Sequence, residues 1–363
     1  MLAKRAGQID SSGIRKVFDL AQKLENPINL SIGQPDFDLP PELKEEAKKW
    51  IDAGFSKYTV TQGTQELRDK IREKYREQGI EFEEVMITCG VSGGLVLAAM
   101  VLFEEGDEVL IPDPYFVMYK HLVRLMGATP VYVDTYPDFR LTVERLEGRF
   151  NRRTKALLLN SPSNPTGVSL TEDEQKKIAE FARRRDLLVI FDEIYESFNY
   201  DFPHANIAKF YPKTLILHGF SKSHAMTGWR LGFAAGPKLI VNEMIKVQQY
   251  SFVCAPSIAQ KMGLAALDMA PDERIADYRR KRDIVYEGLK EKFNVVKPNG
   301  AFYVFPEAPG GDGEEFVRRA IENNVLIIPG NVFSEKNTHF RISFAAEDDV
   351  LRKGIEVLNS LVQ

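Results

Sequence analysis

The sequence predicts an α/β fold: a large domain built on a mainly parallel, seven-stranded sheet, joined to a smaller α+β domain. Three observations carry this. Between about Met86 and Ala235, short apolar runs alternate with helical stretches, the pattern of a parallel sheet with crossover helices. Beyond that region the chain returns to short strands interleaved with helices. At 363 residues it is also long for a single hydrophobic core. The expected division places residues 40–270 in the large domain, and residues 1–39 with 271–363 in the small one.

In chain order, Pro41–Ala53 and Gln65–Gln78 read as helices. The strand-like runs that follow are Val85–Thr88, Glu108–Ile111, Thr129–Val133, Ala156–Leu159, Leu187–Phe191, Thr214–Leu217 and Gly232–Ala235. They are apolar without alternation, as strands covered on both faces are. Between them, Gly94–Phe103, Val117–Met126 and Glu172–Arg185 read as helices. Asp272–Phe293 is a long, charged, amphipathic helix, expected to bridge the two domains. Strands Ala301–Phe305, Val325–Ile328 and His339–Phe344 then alternate with helices Gly313–Asn323 and Glu347–Val362.

Composition removes several classes of function. A net charge of −4 offers no basic face for nucleic acid or acidic lipid. The N-terminus has no apolar signal region, and the longest apolar run, Leu95–Phe103, is too short to span a bilayer. The two cysteines, Cys89 and Cys254, form no metal or redox motif, and the five histidines have no metal-ligand spacing. A soluble, cytoplasmic protein without a metal is expected.

Chemistry concentrates where strands end, the place at which open α/β sheets build their sites. Lys222 follows the run Thr214–Leu217 in a Gly- and Ser-rich turn, and Arg230 lies eight residues on, between Gly228 and Gly232. A lysine nucleophile beside an anion-binding arginine suits Schiff-base chemistry on a phosphorylated carbonyl cofactor. After Ala156–Leu159 the prolines and glycine of NSPSNPTG fix a loop that presents the Asn164 amide. Asp192 closes the next apolar run, where a carboxylate is costly to bury unless it meets a cation such as a pyridinium N–H. Tyr195 follows three residues later. Taken singly these are a turn asparagine, a helix-capping aspartate and a core tyrosine; together they fall on successive strand ends.

The segment MITCGVSGGL runs strand, glycine-rich turn, helix, which suits a phosphate dianion at Ser92 and Gly93. A dinucleotide fingerprint is the competing reading, with Asp113 about twenty residues on, but Gly90-x-x-Gly93-Gly94 lacks the leading Gly-x-Gly pair. At the next strand exit, Phe116 of Pro114-Tyr115-Phe116 offers a ring to stack on a planar heterocycle, or simply to pack in the core.

The motifs SPSNPTG, FDEIY, GFSK followed by MTGWRLGF, PNGAFYVF and RISFA resemble those of the class I/II pyridoxal-phosphate aminotransferases of fold type I. The likeness is nearest to the branch holding bacterial and archaeal aspartate and aromatic amino acid aminotransferases, and it extends from SIGQPDF at Ser31–Phe37 to the C-terminal helix. It implies a ping-pong transamination between an amino acid (aspartate, aromatic or alanine) and a 2-oxo acid such as 2-oxoglutarate. Lys222 would hold the cofactor as a Schiff base, Asp192 would pair with its ring nitrogen, and Tyr195 with Asn164 would bind its phenolic oxygen. Phe116 would stack on the ring. Ser92, Gly93 and Arg230 would bind the phosphate, joined by Tyr58 from the neighbouring subunit of a homodimer. Arg341 would take the substrate carboxylate, beside Asn164 and the Gly33 backbone. The substrate's side chain would meet the N-terminal arm near Ile14 and Phe18.

Two departures stand out. Gly219 occupies a position where many relatives have a phosphate-binding serine, leaving Ser221 or His218 as the replacement. Ser92 stands where some aspartate-specific relatives have lysine, which argues against a strict dicarboxylate preference. A β-lyase, a decarboxylase or a cofactor-sensing regulatory domain would share the same cradle; the last normally carries a fused DNA-binding module, and no basic helix-turn-helix segment is present here.

Overall fold

A computed structural model describes residues 2–9, 13, 24–269 and 273–362 of the chain. Its main sheet has seven strands: β2 (Glu84–Thr88), β3 (Glu108–Asp113), β4 (Thr129–Asp134), β5 (Thr154–Asn160), β6 (Leu188–Asp192), β7 (Thr214–Gly219) and β8 (Gly232–Gly236), with β1 (Ile28–Asn29) lying elsewhere. The order across the sheet is β2-β8-β7-β6-β5-β3-β4. Strands β7, β6, β5, β3 and β4 pair in parallel, while β8 runs antiparallel to both β7 and β2. The mainly parallel α/β sheet expected from sequence is therefore present, each strand within two residues of its predicted run.

Burial explains why these runs are apolar throughout. Leu157, Leu159, Val189 and Phe191 face one layer, with Ile178 and Phe181 of the helix at Glu172–Arg185. Their neighbours Leu158, Ile190, Leu215 and Leu217 face the other layer, with Leu95 and Ala98 of the helix at Gly90–Leu102. Period two survives in space, but both faces are covered, so it vanishes from the sequence. Each such side chain contributes on the order of 1.5–3 kcal/mol by leaving water.

The helices are α1 (Pro41–Asp52), α2 (Gln65–Glu77), α3 (Gly90–Leu102), α4 (Met118–Leu125), α5 (Val143–Glu147), α6 (Glu172–Arg185), α7 (Lys238–Ser251), α8 (Ser257–Ala266), α9 (Glu273–Leu289), α10 (Gly313–Glu322) and α11 (Asp348–Ser360). Helix α6 has the ends sequence reasoning expects. Thr171 and Glu174 form a capping box, and Asp186 closes it in the left-handed region at φ 53. Helices α7 and α8 are not among the stretches marked from sequence. Each begins after a proline, Pro237 or Pro256, with no capping side chain, so the usual start signal is missing.

The C-terminal region carries β9 (Tyr303–Val304), β10 (Val325–Leu326), β11 (Ile328–Pro329) and β12 (Phe340–Ser343). Strands β11, β12 and β9 form an antiparallel sheet, while β10 pairs in parallel with β1. The single predicted run at 325–328 is thus two short strands that change partner at Ile327. Helix α9 begins in the described residues at Glu273 and ends at Leu289, short of the predicted Phe293. Its Tyr278 and Val285 share a cluster with Phe198, Phe302 and Leu351. Lys281 pairs with Asp36, and Arg282 Nη1 donates to Asp201 at 2.9 Å, so this helix is tied both to the N-terminal segment and to the loop that follows β6.

Candidate active site

A cleft of about 330 Å³ opens at the carboxyl ends of the parallel strands. Register sets its floor: Asn160 at the end of β5 pairs with Asp192 at the end of β6, and Asp192 with Leu217 of β7, five residues before Lys222. Three parallel strands in this register therefore deliver an amide, a carboxylate and an amine to one end of the sheet.

Asp192 is buried, with one oxygen accepting the Tyr119 hydroxyl at 2.7 Å and the other the Ile194 N–H at 3.2 Å. Burial pushes its carboxyl up to about 6, against the Tyr119 and Ile194 hydrogen bonds that favour the ionised form. A carboxylate so placed gains from a cation that approaches it through the cleft.

Lys222 donates to the Gly33 carbonyl at 2.6 Å and faces the rings of Tyr195 and Phe302, 5.8 and 6.0 Å from their centres. Desolvation, then the positive charges of Arg341 and Arg230, bring its amine down to about 8, with Asp192 pulling the other way. A substantial neutral fraction, the nucleophilic form, is available near pH 7–8.

Arg341 on β12 is almost fully buried, yet no carboxylate is paired with it among the described residues. Its guanidinium lies between the rings of Tyr303 and Phe333, 4.5 and 4.6 Å from their centroids. It donates to Asn164 Oδ1 at 3.0 Å and to the Ser31 carbonyl at 2.7 Å, while its Nε is buried without a partner. Burial pulls its ordinary value down, which a carboxylate would offset. The Asn164 carbonyl is occupied by Arg341, leaving the amide nitrogen as a donor. Asn160 holds the loop from both sides, accepting the Asn164 N–H at 2.8 Å and donating to the Asp192 carbonyl at 2.9 Å.

The far end of the cleft is built for an anion. Helix α3 starts here after Cys89, with no capping side chain on its first-turn N–H groups. Arg230 is held over that start by bonds to the Thr227 carbonyl at 2.9 Å and the Cys89 carbonyl at 3.5 Å. Gly90, at φ 72, makes room: a Cβ there would come 2.8 Å from an Arg230 nitrogen.

Of the residues expected from sequence, Gly33, Ser92, Phe116, Asn164, Asp192, Tyr195, Lys222, Arg230 and Arg341 all line this one cleft. Gly93 lies just behind it, against Cys89. Tyr58 is 83% exposed and lies outside its own chain's cleft. Ile14 and Phe18 fall outside the described residues. Ser221 lines the cleft, whereas His218 is turned toward Glu196 at 3.7 Å. Serine cannot replace Gly219 here without movement, since a Cβ would sit 2.8 Å from the Leu231 carbonyl and 2.9 Å from Gly232 Cα.

Among the lining residues that sequence reasoning gave no role are Tyr119, Asn160 and Tyr303. Tyr119 lies three residues after Phe116, and that one-turn spacing was the available signal. Tyr303 lies inside the motif PNGAFYVF without a role attached, and its hydroxyl meets that of Tyr195 at 2.9 Å. One trio with metal-ligand spacing exists among the described residues, Glu193, Glu196 and His204. Glu193 there is already satisfied by Tyr75 at 2.5 Å and by Asn206 and His204 at 2.8 Å each, which reads as a structural network.

A family model described as aminotransferase class I and II matches residues 25–358. The chain is 37% identical over 377 residues to the probable aspartate aminotransferase of Methanocaldococcus jannaschii, covering 100% of both sequences. It is 37% identical over 382 residues to aromatic-amino-acid aminotransferase 2 of Thermococcus litoralis, covering 100% of this chain and 98% of that one. Among solved structures, the aspartate aminotransferase of Thermus thermophilus with maleate superposes with a TM-score of 0.93 at 33% identity over 99% of each chain.

Proposed function

The chain belongs to the class I and II aminotransferases, and from that premise we propose how its own residues move the amino group of an L-amino acid to a 2-oxo acid with pyridoxal phosphate. The donor set fits that cofactor. A buried carboxylate short of a cation, a half-buried amine near 8 and an uncapped helix start under an arginine stand along one cleft. Asp192 would face the ring nitrogen, Tyr195 and the Asn164 amide the phenolic oxygen, and Phe116 the ring face. Ser92, the α3 N-terminus beside Gly93, and Arg230 would hold the phosphate. Bound there, pyridoxal phosphate supplies an aldehyde to accept the amino group and a conjugated ring to take up the electron pair of the broken Cα–H bond.

The protein's part is orientation and proton transfer. Arg341 would grip the substrate carboxylate with a fixed fork, and Asn164 would hold that fork in place. This aims Cα toward Lys222, whose neutral amine would serve as nucleophile and then carry the proton off Cα. Asp192 would keep the opposing ring nitrogen protonated, holding positive charge where electron density arrives. The observation that carries this reading is that Lys222, Asp192, Arg230 and Arg341, from three separate stretches of chain, converge on one cleft.

The same reading takes residues 40–270 and 1–39 with 271–363 as two domains flanking the cleft, and the active form as a homodimer. Tyr58 (83% exposed), Tyr250 (91%) and Phe252 (38%) are exposed rings on segments stitched together by Gln248, which donates to the Thr61 carbonyl at 2.6 Å. In a dimer Tyr58 would reach the partner's phosphate site. Aspartate, aromatic amino acids and alanine are the candidate donors. No described helix is long and apolar enough to cross a membrane, and a reducing cytoplasm suits two unpaired cysteines.

Lys222→Ala tests the assignment. The variant should lose turnover and the visible absorbance of covalently held pyridoxal phosphate. In the wild type, one amino acid without an oxo acid should leave pyridoxamine phosphate on the protein, which a lyase or decarboxylase would not accumulate. A Lys222→Ala protein of undiminished activity would end the proposal.

A further inference from the structure

We propose that Tyr303 is a positioning residue whose hydroxyl donates to Tyr195, strengthening the hydrogen bond that Tyr195 sends into the cleft; this rests on the pyridoxal phosphate reading above. Several contacts meet on this one side chain. Its hydroxyl oxygen lies 2.9 Å from that of Tyr195. Its ring forms one wall of the Arg341 slot, 4.5 Å from the guanidinium carbon. Its hydroxyl is pressed so closely on Gly33 that a Cβ at that position would come within 2.8 Å of it. The Gly33 carbonyl in turn accepts the Lys222 amine.

The side chain has little freedom to leave this position. Tyr303 is fully buried, and its strand β9 pairs with β12, which carries Arg341, in the register Ser343 to Tyr303. Gly167, at φ 71, closes on its carbonyl so tightly that a Cβ there would lie 2.4 Å away. Its ring meets Tyr195 edge-on, centroids 5.6 Å apart at 86°, and packs on Phe302 at 4.8 Å. Burial also pushes both phenols above the ordinary tyrosine value, so each keeps its proton across the physiological range.

Only one proton can lie between the two oxygens, and either can supply it. The charged groups facing the pair are Arg341 and Asp192, with Lys222 over the Tyr195 ring. When Tyr195 turns its own proton to a ligand oxygen, Tyr303 must provide the proton between them. A hydroxyl that accepts one hydrogen bond becomes a better donor of the next. Losing the Tyr303 hydroxyl then weakens the Tyr195 bond, leaves the cofactor's phenolic oxygen more basic, and lets the bound chromophore keep its proton to higher pH. The opposite arrangement, with Tyr195 donating to Tyr303, predicts the opposite sign.

The test is Tyr303→Phe, which removes one oxygen and keeps the packed ring. Two readouts apply: an absorbance titration of the pyridoxal phosphate holoenzyme, and the affinity of the cofactor-free protein for pyridoxal phosphate. The expected result is an apparent pKa raised by about half a unit and a Kd raised several-fold. Added to Tyr195→Phe, the same change should have no further effect, because its route runs through Tyr195. KM for the amino donor should move less, the ring wall of Arg341 being retained. An unshifted or lowered pKa, full additivity with Tyr195→Phe, or a KM change matching the loss of cofactor affinity would overturn the proposal. Wild-type protein that takes up no pyridoxal phosphate would overturn the functional reading with it.

Discussion

Arg341→Lys probes the carboxylate site with the least disturbance to everything else. The guanidinium is nearly fully buried between two rings, with one nitrogen fixed to Asn164 at 3.0 Å and the other to Ser31 at 2.7 Å. A lysine keeps the charge but concentrates it at one atom, which cannot hold both protein acceptors and still offer a carboxylate two parallel bonds. Losing one charge-assisted hydrogen bond costs about 1.5–3 kcal/mol. At about 1.4 kcal/mol per decade, that is roughly a 10- to 150-fold fall in kcat/KM. Most of the loss belongs in KM, because the carboxylate is bound alike in ground and transition states. Steady-state kinetics with a panel of amino donors at saturating oxo acid would read it, alongside the affinity for an unreactive carboxylate analogue. The bound cofactor's absorbance should be retained, since Lys222 and Asp192 are untouched. A change under about threefold with intact cofactor binding would remove Arg341 from the role assigned to it.

Three further outcomes follow from the same geometry. The Asp192 carboxyl, at about 6, lies above its ordinary 3.8, so cofactor-free protein should lose stability as pH rises from about 4 to about 6; Asp192→Asn should flatten this, adding up to roughly 3 kcal/mol at neutral pH while weakening pyridoxal phosphate binding, and a lower Tm at neutral pH would contradict it. Gly219→Ser should cost about 1–3 kcal/mol in denaturant unfolding, because its Cβ is forced within 2.8 Å of the Leu231 carbonyl; a neutral substitution would mean that β7 and β8 can separate there. Tyr58→Phe should raise the Kd for pyridoxal phosphate on the order of tenfold without changing the sedimentation of the dimer, and an unchanged Kd would show that Tyr58 does not reach the phosphate.

What sequence alone determined were the elements whose causes are local. Apolar runs of strand length alternate with capped, amphipathic helices such as Glu172–Arg185, and that alternation implies a parallel sheet wherever it occurs. The residues of the site were legible for a related reason: a lysine, an aspartate and an asparagine placed just past apolar strands make poor packing residues, so their chemistry stands out. Tertiary structure decided the rest. The reversed direction of β8, the split of the run at 325–328 and the helices starting at Pro237 and Pro256 depend on which surface each segment meets. Tyr119 and Tyr303 look like ordinary core aromatics in sequence. Only the fold, bringing Tyr119 of α4 to the end of β6 and pairing β9 with β12, turns one hydroxyl to Asp192 and the other to Tyr195. Local patterning records whether a side chain is buried, whereas its hydrogen-bond partner is set by chain segments up to 310 residues apart, as for Arg341 and Ser31.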